Sequence, residues 1–463
     1  MSKTVIVREI EFILSPVQKR VKHLIDFSNS LSDEPWRYDG DVIAKKHDRS
    51  IRVHGVLSWV DHEGKCILDT DGCGSHLMHT GSYGKFISDE EYVELSGADG
   101  SCSVKKALVA ATNTGGGSET ASMQFDELGT GEMQKKTPSI GLVLAGADLW
   151  TWPMSFPSVG GGISFDGMVT TIFGRDALIR RMPSKTEAGH DLLVAFDGDP
   201  LEAMQQSALW IVMSFLAGRL ANVVGSIGIE GNREVWRRRH AWKAPLNKAQ
   251  PPLGPMRMHD LPTIFPNMLG NALALLLDDI PIDVALEHLF TDSRGHLDIE
   301  IRDTALALDA LIEANAFKSN GVTVIATGDY EALLPLLSDA LDAALTGQPK
   351  HDELFKRIMG RVKTANDISH GERRIKFFSR VGFDLKPDEK DALDNRHPMS
   401  HCGYVLRHAG DDQYEKLMLQ VQLARNLVNR VILALLGYRG PVFDYVKGIH
   451  EPWQYFIERD GAR

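Results

Sequence analysis

The chain has 463 residues, 43% hydrophobic and 24% charged, with a formal net charge of −11. That length allows two or three domains, each burying its own core. The acidic balance argues against a sequence-blind nucleic-acid coat but leaves room for a local basic cleft. Cys66, Cys73, Cys102 and Cys402 supply no disulfide framework in so long a chain. The N-terminus, MSKTVIVREIEF, has no apolar h-region and no small-residue cleavage site. The longest uncharged apolar-leaning run, Ala203 to Gly218, is shorter than the ~20 residues of a membrane span. A cytoplasmic protein with no membrane partner is expected.

Residues 1–243 read as a β-rich domain. In SIRVHGVLSWV, Ile51, Val53, Gly55, Leu57 and Trp59 share one face at period two. TVIVREIEF alternates through Val5 and Val7 and then through Ile10 and Phe12, which implies a bulge or slip. DGCG, NTGGGS, VGGG and FDGM are turn signals between such runs. Helical spacers between strands are missing, so a sandwich or irregular barrel is expected rather than a βαβ array. A helix is expected near 200–221, starting after Asp199-Pro200, with Ala203, Ala208, Ile211, Phe215 and Leu220 among its apolar positions. GNREVWRRRHAWK (231–243) is the strongest basic run, with Trp236 and Trp242 interleaved. APLNKAQPPLGP then reads as a linker over 244–256 by its proline content.

From 257 to 447 the pattern is helical, which makes the whole an α+β chain ending in an all-α bundle and a 448–463 tail. Ile301, Ala305, Leu308 and Ile312 recur at i, i+4, i+7 and i+11. DYEALLPLLSDALDAAL is leucine-rich, with Pro335 expected in or near a first turn. Leu354, Ile358 and Val362 lie four apart. DQYEKLMLQVQLARNLVNRVILALLG predicts a final helix of roughly 37 Å at ~1.5 Å per residue, stopped by Gly437.

DNRHPMSHCG (394–403) places Arg396, His397 and His401 around Pro398. These residue types suit metal-independent RNA cleavage. RNA carries its own 2′-OH nucleophile. Histidine, with an ordinary pKa of about 6.5, can take and return protons near neutrality, and arginine offers phosphate a permanently charged planar fork. On a continuous helix of ~3.6 residues per turn, positions 396 and 401 would point roughly 140° apart. Pro398, comfortable only in a helix's first turn, lets Arg396 and His397 precede the helix while His401 lies on it. The bare spacing also occurs at Arg49/His54 and Arg233/His240.

Residues 295–447 resemble the HEPN domains, in particular the Apea-like group. The resemblance rests on TALALDALIEAN, GERRIKFFSRVGFDL, DNRHPMSHCG and the closing ILALLGYRGPVFDY. Arg396, a polar His397 and His401 fit that family's R-x4–6-H motif, although family members usually carry Asn where His397 stands. LDAL is similar to a family LEAL, which makes Asp309 a candidate supporting residue. The β-rich half, followed by MSFLAGRL, looks like the N-terminal domain of ApeA-type proteins. The resemblance implies an abortive-infection or toxin-type ribonuclease acting on RNA without a cofactor. It also implies two motif copies facing each other across a homodimer, and a phage-derived protein is a possible trigger. Leu419, Leu423 and Leu427 of the final helix are candidates for the dimer surface. A non-catalytic interaction protein, whose bundle binds nucleotide, RNA or a partner, is the alternative.

Cys66, Cys73, His76 and His79, with His62 nearby, offer four metal ligands in an unusual spacing; a glycine-rich turn with surface histidines is the plainer reading. NTGGGSET (113–120) lacks the Lys-Ser/Thr of a phosphate cradle and reads as a hairpin loop. The 233–243 run could track RNA with tryptophan stacking, or be a connector with its tryptophans docked in a core. Residues 352–380 carry eight Lys/Arg against four Asp/Glu, either an RNA groove or a solvated face.

Overall fold

The computed structural model describes residues 37–46, 49–59, 65–70, 93–97, 102–115, 118–124, 127–131, 139–145, 154–157, 163–182, 191–230, 233–240, 250–253, 260–290, 296–318, 323–382, 385–394 and 411–451. The chain divides into two compact units, Met1–Gly270 and Asn271–Arg463.

The first unit is built from strands β1 (Arg37–Lys46), β2 (Arg49–Trp59), β3 (Lys65–Thr70), β4 (Val93–Gly97), β5 (Cys102–Gly115), β6 (Ser118–Gln124) and β7 (Glu127–Gly131). It continues with β8 (Ser139–Ala145), β9 (Met154–Pro157), β10 (Ile163–Ile172), β11 (Arg175–Met182), β12 (Asp191–Asp197), β13 (Asn222–Glu230) and β14 (Arg233–His240). The order is β4-β1-β2-β3-β6-β5-β7-β14-β13-β8-β12-β11-β10-β9, with a further pairing of β4 to β5. That extra pairing closes β4, β1, β2, β3, β6 and β5 into a ring, from which the remaining strands run on as an open array. Every pairing in this sheet is antiparallel, as the lack of helical spacers requires.

NTGGGSET is a hairpin: β5 and β6 pair from Gly115↔Ser118 inward. FDGM departs from its expected role as a turn. It lies inside β10, where the register shifts between Phe165 and Gly167. Glycine serves a bulge as well as a turn, because both need backbone freedom that other residues lack. VGGG and DGCG lie outside the described residues.

Helix α1 (Ala203–Ala217) begins with a capping box in which the Glu202 side chain accepts from the N3 backbone. Gln205 Oε1 reciprocates by accepting from Glu202 N at 3.1 Å. It ends at Gly218, with φ 68°. Ala208, Ile211 and Phe215 are fully buried, whereas Ala203 is exposed and Leu220 lies beyond the helix end. Gln250 N donates to Gly218 O at 3.1 Å, and Leu253 is buried, so part of the proline-rich stretch packs against the first unit.

Helix α2 (Leu261–Leu277) spans the division between units. The second unit continues with α3 (Ile282–Leu289), α4 (Leu297–Lys318), α5 (Thr327–Leu345), α6 (His351–Lys363), α7 (His370–Val381), α8 (Pro387–Asp394) and α9 (Asp411–Leu435). Helix α4 packs on α3, α7 and α9, while α8 packs on α9 and α5 on α6. Ile301, Ala305, Leu308 and Ile312 are all buried, as their spacing predicts. Ile301 joins Leu417 and Val421 of α9 in one apolar cluster. Helix α9 ends where Gly437 takes φ 76°; Tyr438 N then donates to Leu433 O at 2.8 Å.

Pro335 is inside α5, well past its first turn. The helix starts at Thr327, earlier than the leucine-rich run suggests, and the lost backbone bond falls at exposed positions, Glu331 and Pro335. The GYRGPVFDY phrase closes the unit. Tyr438 is buried and its hydroxyl donates to Pro441 O at 2.8 Å. Strand β15 (Val442–Asp444) then pairs with β16 (Ile449–Glu451). Asp444 Oδ1 accepts from Asn426 Nδ2 at 2.8 Å, which ties that hairpin to α9. Among the described residues no helix is long and apolar enough to cross a membrane.

Candidate functional site

Of the three Arg–His spacings, two lie in described strands. Arg49 and His54 are both in β2, and Arg233 and His240 both in β14. At ~3.3 Å per residue an extended strand holds such pairs about 17 Å and about 23 Å apart, too far to share one phosphate. His54 Nδ1 instead meets Asp41 Oδ1 across the β1–β2 pair at 2.9 Å. Arg396, His397 and His401 lie outside the described residues, in the connection between α8 and α9. The two helices that it joins are tied to each other. Arg430 of α9 forms an ion pair with Glu389 of α8, and both side chains are nearly inaccessible to solvent. Glu389 also accepts from Lys386 N at 3.0 Å, capping α8 from within.

Asp309 is on α4, half-buried, and faces α7 rather than the start of α9. His370 Nε2 lies 3.1 Å from Asp309 Oδ1 and 4.0 Å from Glu313 Oε1. One turn along each helix, Arg373 Nη1 donates to Glu313 Oε2. Arg373 Nε donates to Ile368 O at 3.0 Å. The four charges therefore interleave: carboxylates four apart on α4, basic groups three apart on α7. Helix α7 is started by a reciprocal cap. Ser369 Oγ accepts from Glu372 N at 3.3 Å, and Glu372 Oε2 accepts from Ser369 N at 2.9 Å. The Ser369 hydrogen bonds hold the Glu372 carboxyl below its usual range. A histidine held by a carboxylate has a fixed ring direction and can pass protons. The Arg373 guanidinium beside it is spent on Glu313 and the Ile368 carbonyl.

Sequence reasoning singled out Asp309 but missed His370, Glu313 and Arg373. The signal that could have located them is Ser369-x-x-Glu372, a capping box that sets the helix start and hence the facing of His370 and Arg373.

A second polar region lies deeper. Arg425 Nη2 donates to Leu289 O at 2.9 Å, and burial pulls its guanidinium pKa down. Burial likewise pushes the neighbouring Tyr445 phenol far above its usual value. Both effects mark a packed interior, with the hydroxyl and guanidinium serving structure.

No family model matches the chain, and neither does any curated protein or solved structure.

Among the described residues no group of three or more His, Cys, Asp or Glu is arranged to hold a metal ion. Cys66 belongs to β3, and Cys73, His76 and His79 lie outside the described residues. The basic run 233–240 is a strand inside the sheet, paired on both sides by β13 and β7, rather than a connector. Trp236 is 2% exposed and docked in the core. Arg238 stands 5.3 Å over its ring. Of the leucines named for a dimer surface, Leu427 is fully buried in its own unit, Leu423 is half-buried and Leu419 is 44% exposed.

Proposed function

We propose that the chain is a metal-independent RNA endonuclease of HEPN type, acting in the cytoplasm in abortive-infection or toxin-like defence. The observation that carries this reading is the Arg396–His401 pair in the connection between α8 and α9. The other two Arg–His spacings are held apart in extended strands, and buried Glu389 and Arg430 pair the two helices that this connection joins. Exposed cations on α6 and α7, including Lys356, Arg357, Arg361, Lys376 and Arg380, add a surface suited to a phosphate backbone.

In the proposed reaction a base takes the 2′-OH proton and the 2′-oxygen bonds to phosphorus. The bond from phosphorus to the 5′-oxygen breaks, and an acid protonates that oxygen. His401 is one proton carrier and Arg396 holds the phosphate. The second carrier is His401 of the partner subunit in a shared site, or His397 within one chain. The β-rich unit senses a trigger or restrains the nuclease.

The test is cleavage of RNA by purified protein in excess EDTA, with end-group analysis. The expected products carry 2′,3′-cyclic phosphate and 5′-OH ends, and His401→Ala lowers the rate by roughly 10²–10⁴-fold. Arg396→Lys loses most of the activity, because an ammonium cannot replace a two-point fork. Dependence on a divalent ion, or 5′-phosphate ends, would sink the mechanism.

One observation favours the non-catalytic interaction reading. Helix α5 has no buried residue, which suits a surface that binds another macromolecule.

A further inference from the structure

Helix α5 is 19 residues long and carries seven leucines or tyrosines, yet none of its side chains is buried. Its half-buried positions are Tyr330, Leu334, Ser338, Leu341 and Leu345, a single face at i, i+4, i+8, i+11 and i+15. That face meets α6, where the Tyr330 hydroxyl donates to Val362 O. A second apolar stripe runs through Leu333, Leu336, Leu337, Ala340 and Ala344, at i, i+3, i+4, i+7 and i+11. Leu333, Leu336 and Leu337 are 43%, 65% and 42% exposed. Two apolar stripes on one helix call for two partners, and α6 supplies only one.

Charge says what the second partner is. Helix α5 holds Asp329, Glu331, Asp339 and Asp342 and no Lys or Arg. On the helical wheel Asp329 and Asp339 fall on the side of the exposed stripe away from α6. Helix α6 is the opposite: Lys356, Arg357, Arg361 and Lys363 are exposed, and its acids, Asp352 and Glu353, are confined to the first turn. The α5–α6 hairpin is therefore complementary to itself. Two hairpins related by a two-fold axis bring stripe against stripe, and place the acidic edge of one α5 beside the basic face of the other α6.

We propose that the α5–α6 hairpin is a self-association surface whose occupant is a second copy of this chain. The two hairpins form a four-helix arrangement in which Leu336 and Leu337 are buried at the centre. This surface is separate from residues 396–401 and stands whether or not the chain cleaves RNA.

The test uses two charge-reversed full-length chains, with mass measured by sedimentation across the micromolar range and folding checked by circular dichroism. One carries Asp329→Lys and Asp339→Lys; the other carries Lys356→Glu and Arg357→Glu. All four positions are exposed, so the fold is expected to survive. Each variant alone opposes like charges, and its self-association should weaken by about tenfold or more. Mixed together, the two should recover a dimer, since each reversed edge then meets an opposite one. Leu336→Lys should abolish association in either background. A wild-type chain that stays monomeric overturns the proposal, and so does a dimer unchanged in both variants. In the second case, dissociation on changing Leu419 would assign the dimer to α9 instead. RNA cleavage by the wild-type chain reports on the nuclease reading separately, because Lys356 and Arg357 also belong to the proposed RNA surface.

Discussion

Asp309 on α4 and His370 in the first turn of α7 lie 61 residues apart in the chain and 3.1 Å apart in space. With Glu313 and Arg373 one turn further along, this contact staples two helices whose apolar faces alone would allow them to slide.

The staple should be measurable as coupling. Arg373→Ala is expected to destabilise the helical unit by about 1–3 kcal/mol, below the cost for a fully buried pair because Glu313 is one-third exposed. A double-mutant cycle of Asp309→Ala and His370→Ala, read by urea unfolding, should give a coupling of about 0.5–1.5 kcal/mol. Zero coupling would mean that the two side chains are neighbours without consequence.

A harsher penalty is expected at Glu389. Removing its carboxylate leaves the Arg430 charge buried beside an empty site, and it also uncaps α8. Glu389→Ala should cost roughly 3–5 kcal/mol. The combined Glu389→Leu, Arg430→Met replacement should cost less than that single change, despite altering more atoms. If the double variant were the weaker, the pair would contribute more than it costs in desolvation.

Gly218 and Gly347 offer a paired test of backbone strain. Both have positive φ, +68° and +84°. A Cβ at Gly218 would lie 2.2 Å from the Gln250 carbonyl carbon and 2.3 Å from Pro251 N, whereas at Gly347 it would meet nothing within 4 Å. Gly347→Ala should cost about 1–2 kcal/mol for its conformation alone. Gly218→Ala adds displacement of backbone and should cost about 2–4 kcal/mol. Equal effects on unfolding midpoints would show that the segment at 250–251 yields freely.

His351 should respond to pH. Its hydrogen bond to Asp352, with Asp342 beside it, raises its pKa above the ordinary 6.5. A raised histidine pKa means that the charged form is favoured in the folded hairpin. The stabilisation is fully present below the unfolded value and is lost as pH rises through the folded one. An NMR titration of His351 should therefore give a midpoint above 6.5, and Asp352→Asn should lower it. A midpoint at or below the ordinary value would contradict the contact.

The features legible in the sequence are local. The period-two run over 51–59 gave β2, and the apolar spacing closed by Gly437 gave α9. Ile301, Ala305, Leu308 and Ile312 were legible as core because a helix repeats every 3.6 residues whatever it packs against. The residue types of Arg396 and His401 carry the proposed nuclease reading for the same reason: charge and proton affinity belong to side chains. Which element meets which was set by packing across the whole fold. It made the basic run of β14 an interior strand, turned FDGM into a bulge, and sent Asp309 to His370 across 61 residues. Such choices depend on which faces remain uncovered after every element has packed, a sum over the whole chain that no short window contains.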